Sequence, residues 1–287
     1  MWIFFAFGSA IFAGITAILA KIGIRNTDSN IATAIRTVVV LLFSWLMVFV
    51  VGSQNSIQTI QARTYLFLGL SGLATGASWL CYFRALQLGD VNKVTPVDKS
   101  SIILTMFLAF IILGEKITPI KLIGMIVIGV GTYLMIIKKQ REAKATDRRW
   151  LMYAALSAIF ASLTSILGKI GIQGVESNLG TALRTIVVVI MAWLIVFITG
   201  KQHTIKDIEK RGWIFLCLSG IATGASWLCY YRALKDGPAS IVVPIDKLSI
   251  LLTVIFAYVF LKEKLNQKST IGLILIVVGT LSLLLTI

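Results

Sequence analysis

The sequence predicts an all-α integral membrane protein: ten transmembrane helices arranged as two inverted five-helix repeats. Three observations predict it. Of 287 residues, 57% are hydrophobic and 14% charged, with a mean hydropathy of +0.91; soluble domains are roughly a quarter charged. Apolar runs of spanning length recur along the chain with short polar connections between them. Finally, residues 2–139 align on 150–287 at a shift of 148 without a gap, and about half of the positions are identical. So much apolar surface excludes both a water-soluble globule and a disordered chain.

The elements follow from a ruler of about 20 apolar residues per crossing. The first, 2–24, starts directly on Trp2-Ile3-Phe4-Phe5 with no basic stretch before it, so it reads as a span rather than a cleavable signal. The second, 30–51, carries Arg36 early. The third, 65–87, contains Gly72–Tyr82 (GLATGASWLCY), in which Gly72 and Gly76 allow close helix approach. The fourth, 93–114, opens on Pro96-Val97-Asp98-Lys99, and the fifth, 119–138, is apolar almost throughout. Spans 150–172, 179–200, 213–235, 240–262 and 270–287 repeat these signatures: Arg184 answers Arg36, Gly220–Tyr230 (GIATGASWLCY) answers Gly72–Tyr82, and Pro244-Ile245-Asp246-Lys247 answers Pro96–Lys99. The domains are therefore 1–138, a basic linker 139–149, and 150–287. Five is odd, so duplicated units must insert in opposite orientations, the architecture of secondary transporters.

The formal charge of +15 comes from Lys and Arg scattered between apolar runs, which are topology signals rather than a nucleic-acid face. With the N-terminus outside, 17 basic residues flank the cytoplasmic side and 6 the outer side. This places linker 139–149 in the cytoplasm and both termini outside a plasma membrane. Cys81, Cys217 and Cys229 lie in apolar runs and read as packing residues. The only histidine, His203, is in a connection, and no GxxxxGK[ST] occurs. Metal chemistry, hydrolysis and direct ATP coupling therefore have no support, and no cofactor is expected.

Charges inside a span cost at least about 2.5 kcal/mol at its centre and mark functional positions. Arg36, Asp98 and Lys99 fall toward one membrane face, and Arg184, Asp246 and Lys247 toward the other. Two equivalent ionic clusters around an apolar middle are the layout of two gates, each aspartate neutralising a neighbouring base. Lys21, Arg84, Lys169 and Arg232 accompany these clusters or snorkel to headgroups. Pro96 and Pro244 loosen the first turn of their helices beside the Asp-Lys pairs. Candidates for a substrate cavity are Ser78, Trp79, Tyr82 and their copies Ser226, Trp227, Tyr230 near mid-membrane, with hydroxyls of Thr16, Ser101, Thr105 and their copies Thr164, Ser249, Thr253. These hydroxyls can equally close on carbonyls four residues back.

The early Arg of the second helix, Phe83-Arg84-Ala85-Leu86 and Tyr231-Arg232-Ala233-Leu234, the two Pro-x-Asp-Lys motifs and Leu113-Gly114-Glu115 resemble the drug/metabolite transporter superfamily, specifically EamA-type proteins. The resemblance spans nearly the whole chain. It implies a central cavity lined mainly by the first, third and fourth helices of each repeat, and export of metabolites such as amino acids. Ten-helix relatives usually keep both termini cytoplasmic, the reverse of what the basic linker predicts here. The leading function is thus a secondary carrier of small polar metabolites by alternating access. A carrier of anionic metabolites and a non-transporting scaffold or receptor stand beside it. The expected partners are a small-molecule substrate and the lipid bilayer, with no nucleic acid. One copy suffices for the cycle, and a dimer is compatible with it.

Overall fold

The computed structural model describes residues 1–23, 27–88, 97–98, 100–136, 149–261 and 267–286. All regular structure among them is helical: α1 (Trp2–Gly23), α2 (Ser29–Val51), α3 (Ala62–Leu88), α4 (Ser101–Ile112), α5 (Pro119–Ile136), α6 (Arg149–Gln173), α7 (Ser177–Ile198), α8 (Lys210–Asp236), α9 (Ala239–Lys247), α10 (Ser249–Leu261) and α11 (Gln267–Leu283). Short 3-10 turns, Ser53–Thr59 and Gln202–Asp207, follow α2 and α7. Among the described residues six segments are long and apolar enough to cross a bilayer: Trp2–Ala20, Ser29–Val51, Arg149–Gln173, Ser177–Ile198, Lys210–Asp236 and Gln267–Thr286. Phe4, Leu42, Val50, Phe197 and Ile198 are all more than half exposed, as lipid-facing side chains are.

Local chemistry explains the ends. Asp28 caps α2 by accepting from the backbone N–H groups of Asn30 and Ile31, and Glu176 caps α7 by accepting from Asn178 and Leu179 at 2.9 and 3.0 Å. Gly52 closes α2 with φ 75°, a conformation open mainly to glycine.

The stretch 240–262, expected as one span, consists of two helices, α9 and α10. Pro244 has no N–H to give to the carbonyl of Ser240, and the Leu248 N–H turns back to the Ile245 carbonyl at 2.9 Å, ending the helix directly after Asp246-Lys247. The first repeat does the same where described: the Ser100 N–H meets the Val97 carbonyl at 3.2 Å, and α4 starts at Ser101. Lys99, Pro96 and most of the linker lie outside the described residues.

The repeats interlock. The principal helix partners lie across them: α1 on α8, α3 on α6, α2 on α7 and α5 on α11. The contacts are reciprocal at the shift of 148. Ser71 donates to the Thr164 carbonyl at 2.7 Å and Ser219 to that of Thr16 at 3.1 Å. Ser78 donates to the Ser157 carbonyl and Ser226 to the Ser9 carbonyl, both at 3.1 Å. Such pairing, where i meets j and the copy of j meets the copy of i, is the signature of two-fold symmetry. Ile31, Ala32 and Ile35 at the start of α2 cluster with Ala192 and Val196 near the end of α7. These equivalent helices therefore run antiparallel.

Close approach depends on missing side chains. A Cβ on Gly72 would lie 2.7 Å from Val187 Cβ, and one on Gly220 would lie 2.6 Å from Val39 Cβ. Two faces that meet this tightly place α3 against α7 and α8 against α2, which brings the arginines of α2 and α7 inward.

Candidate functional site

Two adjoining lobes open between the repeats, of about 330 and 380 Å³, within the range of small-ligand sites. Ala13, Trp79, Ser226 and Trp227 line both. The smaller lobe adds Arg184, Thr75, Thr164, Ser165, Tyr230, Tyr231, Asp246, Lys247 and Ser249. The larger adds Arg36, Thr223, Thr16, Thr33, Thr37 and Val40. Arg36, Thr223 and Thr16 are the copies of Arg184, Thr75 and Thr164. The lobes therefore share a set of one arginine and two threonine hydroxyls, and the two tryptophans line both.

Each arginine is held by hydroxyls from the opposite repeat. Arg36 Nη2 donates to Thr223 Oγ1 at 2.9 Å. Arg184, 2% exposed, donates from Nε to Ser71 Oγ at 3.0 Å and from Nη2 to Thr75 Oγ1. Its guanidinium also lies over Trp227 and Tyr231, 5.0 and 4.9 Å from the ring centroids, as cation–π pairs do. Arg36 Nε and Arg184 Nη1 are buried without an acceptor, a state that costs about 1–3 kcal/mol per donor. Among the described residues no carboxylate pairs with either arginine.

Of the two bases named for Asp246, Lys247 and not Arg184 is its neighbour; of the two named for Asp98, Lys99 lies outside the described residues. Asp246 sits 3.6 Å from Lys247 and accepts from Ser9 of the first repeat at 2.5 Å. Asp98 accepts from Ser157 of the second repeat at 2.7 Å. The arginines enter seven residues into α2 and α7, where threonines of the opposing helix are nearest, whereas Asp246 lies at the end of α9 and reaches α1, and Asp98 reaches α6.

Of the other sequence candidates, the structure brings Thr16, Ser78, Trp79, Thr164, Ser226, Trp227, Tyr230 and Ser249 to the cavity. Thr105 and Thr253 instead donate to the carbonyls of Ser101 and Ser249, four residues back, and like Ser101 are absent from both lobes. Tyr82 packs with Ala85, Val97, Trp150 and Tyr153 away from the lobes, because Asp98 and Ser157 close that corner. Tyr230 enters the smaller lobe and donates to Ser165 Oγ at 2.9 Å; the copy of Ser165 is Ala17, which offers no such partner.

Lys169 does not snorkel. It is 8% exposed, and its ammonium donates to the carbonyls of Leu234 and Gly237, the latter at 2.6 Å, capping the C-terminal end of α8. Glu115 of the first repeat caps the N-terminus of α9 in the second, accepting from the N–H groups of Ala239 at 2.5 Å and Ser240 at 3.0 Å and from the Ser240 hydroxyl. Both border a peripheral cavity of about 450 Å³ with Arg63 and Asp236. Sequence reasoning met Glu115 only as the end of Leu113-Gly114-Glu115 and passed over Thr75, Thr223, Ser9 and Ser157. Their signal was their place in the repeat: both members of the Thr75/Thr223 and Ser9/Ser157 pairs are retained. Among the described residues no group of three or more His, Cys, Asp or Glu side chains is placed to hold a metal.

The model of the EamA-like transporter family matches residues 1–137 and again 148–285. An uncharacterized transporter from the cobO 3′ region of a Sinorhizobium species is 46% identical over 137 residues, 48% of this chain and 97% of that protein. An uncharacterized protein of Methanocaldococcus jannaschii is 29% identical over 133 residues, 46% of this chain and 94% of its own length. Both correspond to a single repeat. An uncharacterized transporter of Bacillus subtilis is 24% identical over 204 residues, covering 70% of this chain and 64% of that one. A solved crystal structure superposes with a TM-score of 0.82 over 99% of this chain and 97% of its own at 16% identity, a likeness of fold.

Proposed function

Because this chain belongs to the EamA-like transporter family, we propose that it is a secondary active exporter of small polar metabolites such as amino acids, working by alternating access between two inverted repeats. The observation that carries this reading is the doubled cavity: one arginine, two threonines and a shared tryptophan pair, presented twice by the pseudo-two-fold. A carrier needs a site that can be offered to each side in turn, and inverted repeats supply it. In this reading the chain crosses a plasma membrane ten times, with units 1–138 and 150–287 joined by the cytoplasmic linker 139–149. Asp98 with Lys99 and Asp246 with Lys247 serve the two gates, and Ser157 and Ser9 are the latch points for the aspartates. A transporter, rather than an enzyme or a nucleic-acid binder, is what the family membership and the apolar helices support.

The test is reconstitution into proteoliposomes, with compounds that raise Tm of the purified protein assayed by counterflow. Exchange of a labelled hit supports the carrier. Correctly folded protein with no exchange of any stabilising compound makes it a receptor or scaffold instead. Asp98→Asn and Asp246→Asn should both slow exchange while keeping binding; normal exchange by both removes the gate role.

A further inference from the structure

Resting on the transport reading of this cavity, we infer that its substrate carries a carboxylate with a net charge of minus one, held by Arg184 in one lobe and by Arg36 in the other. The charge balance of each lobe points there. Among the described residues, the larger lobe is lined by one charged side chain, Arg36. The smaller has Arg184, Lys247 and Asp246, of which Asp246 is already paired with Lys247. Among the described residues each lobe therefore keeps one uncompensated positive charge in a poor solvent, which a monoanion neutralises. A cation would be repelled, and a dianion would leave excess negative charge behind.

Donor geometry gives the same answer. Hydroxyls occupy part of each guanidinium and fix its plane, while Arg184 Nη1 and Arg36 Nε have no acceptor. A planar fork with an unmet N–H suits a carboxylate. The shared Trp79 and Trp227 offer an apolar flank for the rest of the molecule. Because the same arginine–threonine set occurs on both sides of that flank, a carboxylate leaving one lobe meets equivalent chemistry in the other.

The experiment uses the full chain in detergent with acetate, phenylacetate and indole-3-acetate as probes. Phenylacetamide, phenethylamine and inorganic phosphate serve as neutral, cationic and multiply charged controls. Binding is read by Tm and by quenching of tryptophan fluorescence. The expected result is dose-dependent stabilisation by the two aromatic carboxylates, absent for the amide and amine and weaker for phosphate. Arg36→Gln combined with Arg184→Gln should weaken binding by about 30-fold or more, as loss of one partner of a buried charged pair does, whereas each single variant keeps the site of the unaltered lobe. Arg36→Lys combined with Arg184→Lys, which retains both charges, covers the case in which the double Gln variant fails to fold; loss of both forks should still weaken binding about tenfold. The proposal is overturned if no carboxylate binds at about 10 mM, where even a millimolar site fills. It is also overturned if the amide binds as well as the acid, or if the folded double arginine variants bind like the parent. Counterflow separates the two readings. A carboxylate that binds but does not exchange rejects the carrier and keeps the anion site, whereas exchange of neutral or cationic compounds alone rejects the anion site and keeps the carrier.

Discussion

Glu115→Ala removes a cap that one repeat places on the other. The carboxylate accepts three hydrogen bonds at the start of α9, from the N–H groups of Ala239 and Ser240 and from the Ser240 hydroxyl. The first N–H groups of a helix have no partner inside it, and α9 is only nine residues long, so a large share of its backbone donors is at stake. Loss of a cap costs about 0.5–2 kcal/mol, and a negative charge at a helix N-terminus adds about 0.3–1 kcal/mol. Glu115 is half-buried, and water satisfies part of what is lost, so the net cost should be about 1–2 kcal/mol. At about 2–4 °C per kcal/mol for a chain of this size class, Tm should fall by roughly 2–8 °C. Glu115→Gln keeps one acceptor and should lose about half as much. The assay is thermal unfolding in one detergent, with the exposed neighbour Lys116→Ala as control. A Glu115→Ala protein that melts with Lys116→Ala and the parent would refute the cap as an inter-repeat tie.

Gly72→Ala and Gly220→Ala place a methyl within 2.7 and 2.6 Å of Val187 and Val39. Each should cost about 1–3 kcal/mol, and by nearly the same amount; clearly unequal melting shifts would show that the two-fold does not hold in solution. The Glu176 carboxyl is opposed by burial but held below its ordinary range by the backbone N–H groups of Leu179 and Asn178. Its contribution is therefore complete above the ordinary glutamate pKa of about 4.3 and fades as pH falls through the lower folded value. The Tm gap between parent and Glu176→Gln should be present at neutral pH and close in acid, and a gap of equal size at both ends contradicts the assignment. Lys144→Cys in intact cells should resist an impermeant maleimide, because the basic linker is read as cytoplasmic; ready labelling reverses the topology.

The fold was legible because duplication doubles every signal. Arg36 and Arg184, or Trp79 and Trp227, are each ambiguous alone, yet their recurrence at one spacing marks them as parts of a single design. Contacts between helices were not legible. Ser9 reaches Asp246 across 237 positions, and nothing in a one-dimensional pattern says that a serine of the first helix meets an aspartate of the ninth. The same limit left open whether Asp246 would meet Arg184 or Lys247: all three are charged and lie at similar depth, but depth along a helix says nothing about the direction in which each side chain leaves it, and Lys247 is the one beside it. For Thr105 and Thr253 the sequence left two readings open, cavity or local carbonyl. Their hydroxyls had a carbonyl in their own helix, and local satisfaction prevailed.

The interlocking of the repeats also constrains what can move. Separating the sequence halves as bodies would break the serine–carbonyl bonds of α1 with α8 and of α3 with α6, each at about 0.5–1.5 kcal/mol, together with the tight glycine contacts. Units drawn from both repeats keep those bonds: α1, α2, α8 and α10 in one, and α3, α4, α6 and α7 in the other, related by the two-fold. Each unit then holds its own arginine on its own threonine, Arg36 on Thr223 and Arg184 on Thr75. Trp227 belongs to the first unit and Trp79 to the second, so the cavity lies along the seam. Arg184 stacks across that seam on Trp227 and Tyr231, while among the described residues Arg36 stacks on no ring. Two lobes built from nearly the same residues therefore differ where one unit touches the other, and an asymmetry of that kind can be exchanged between the lobes without altering either unit inside.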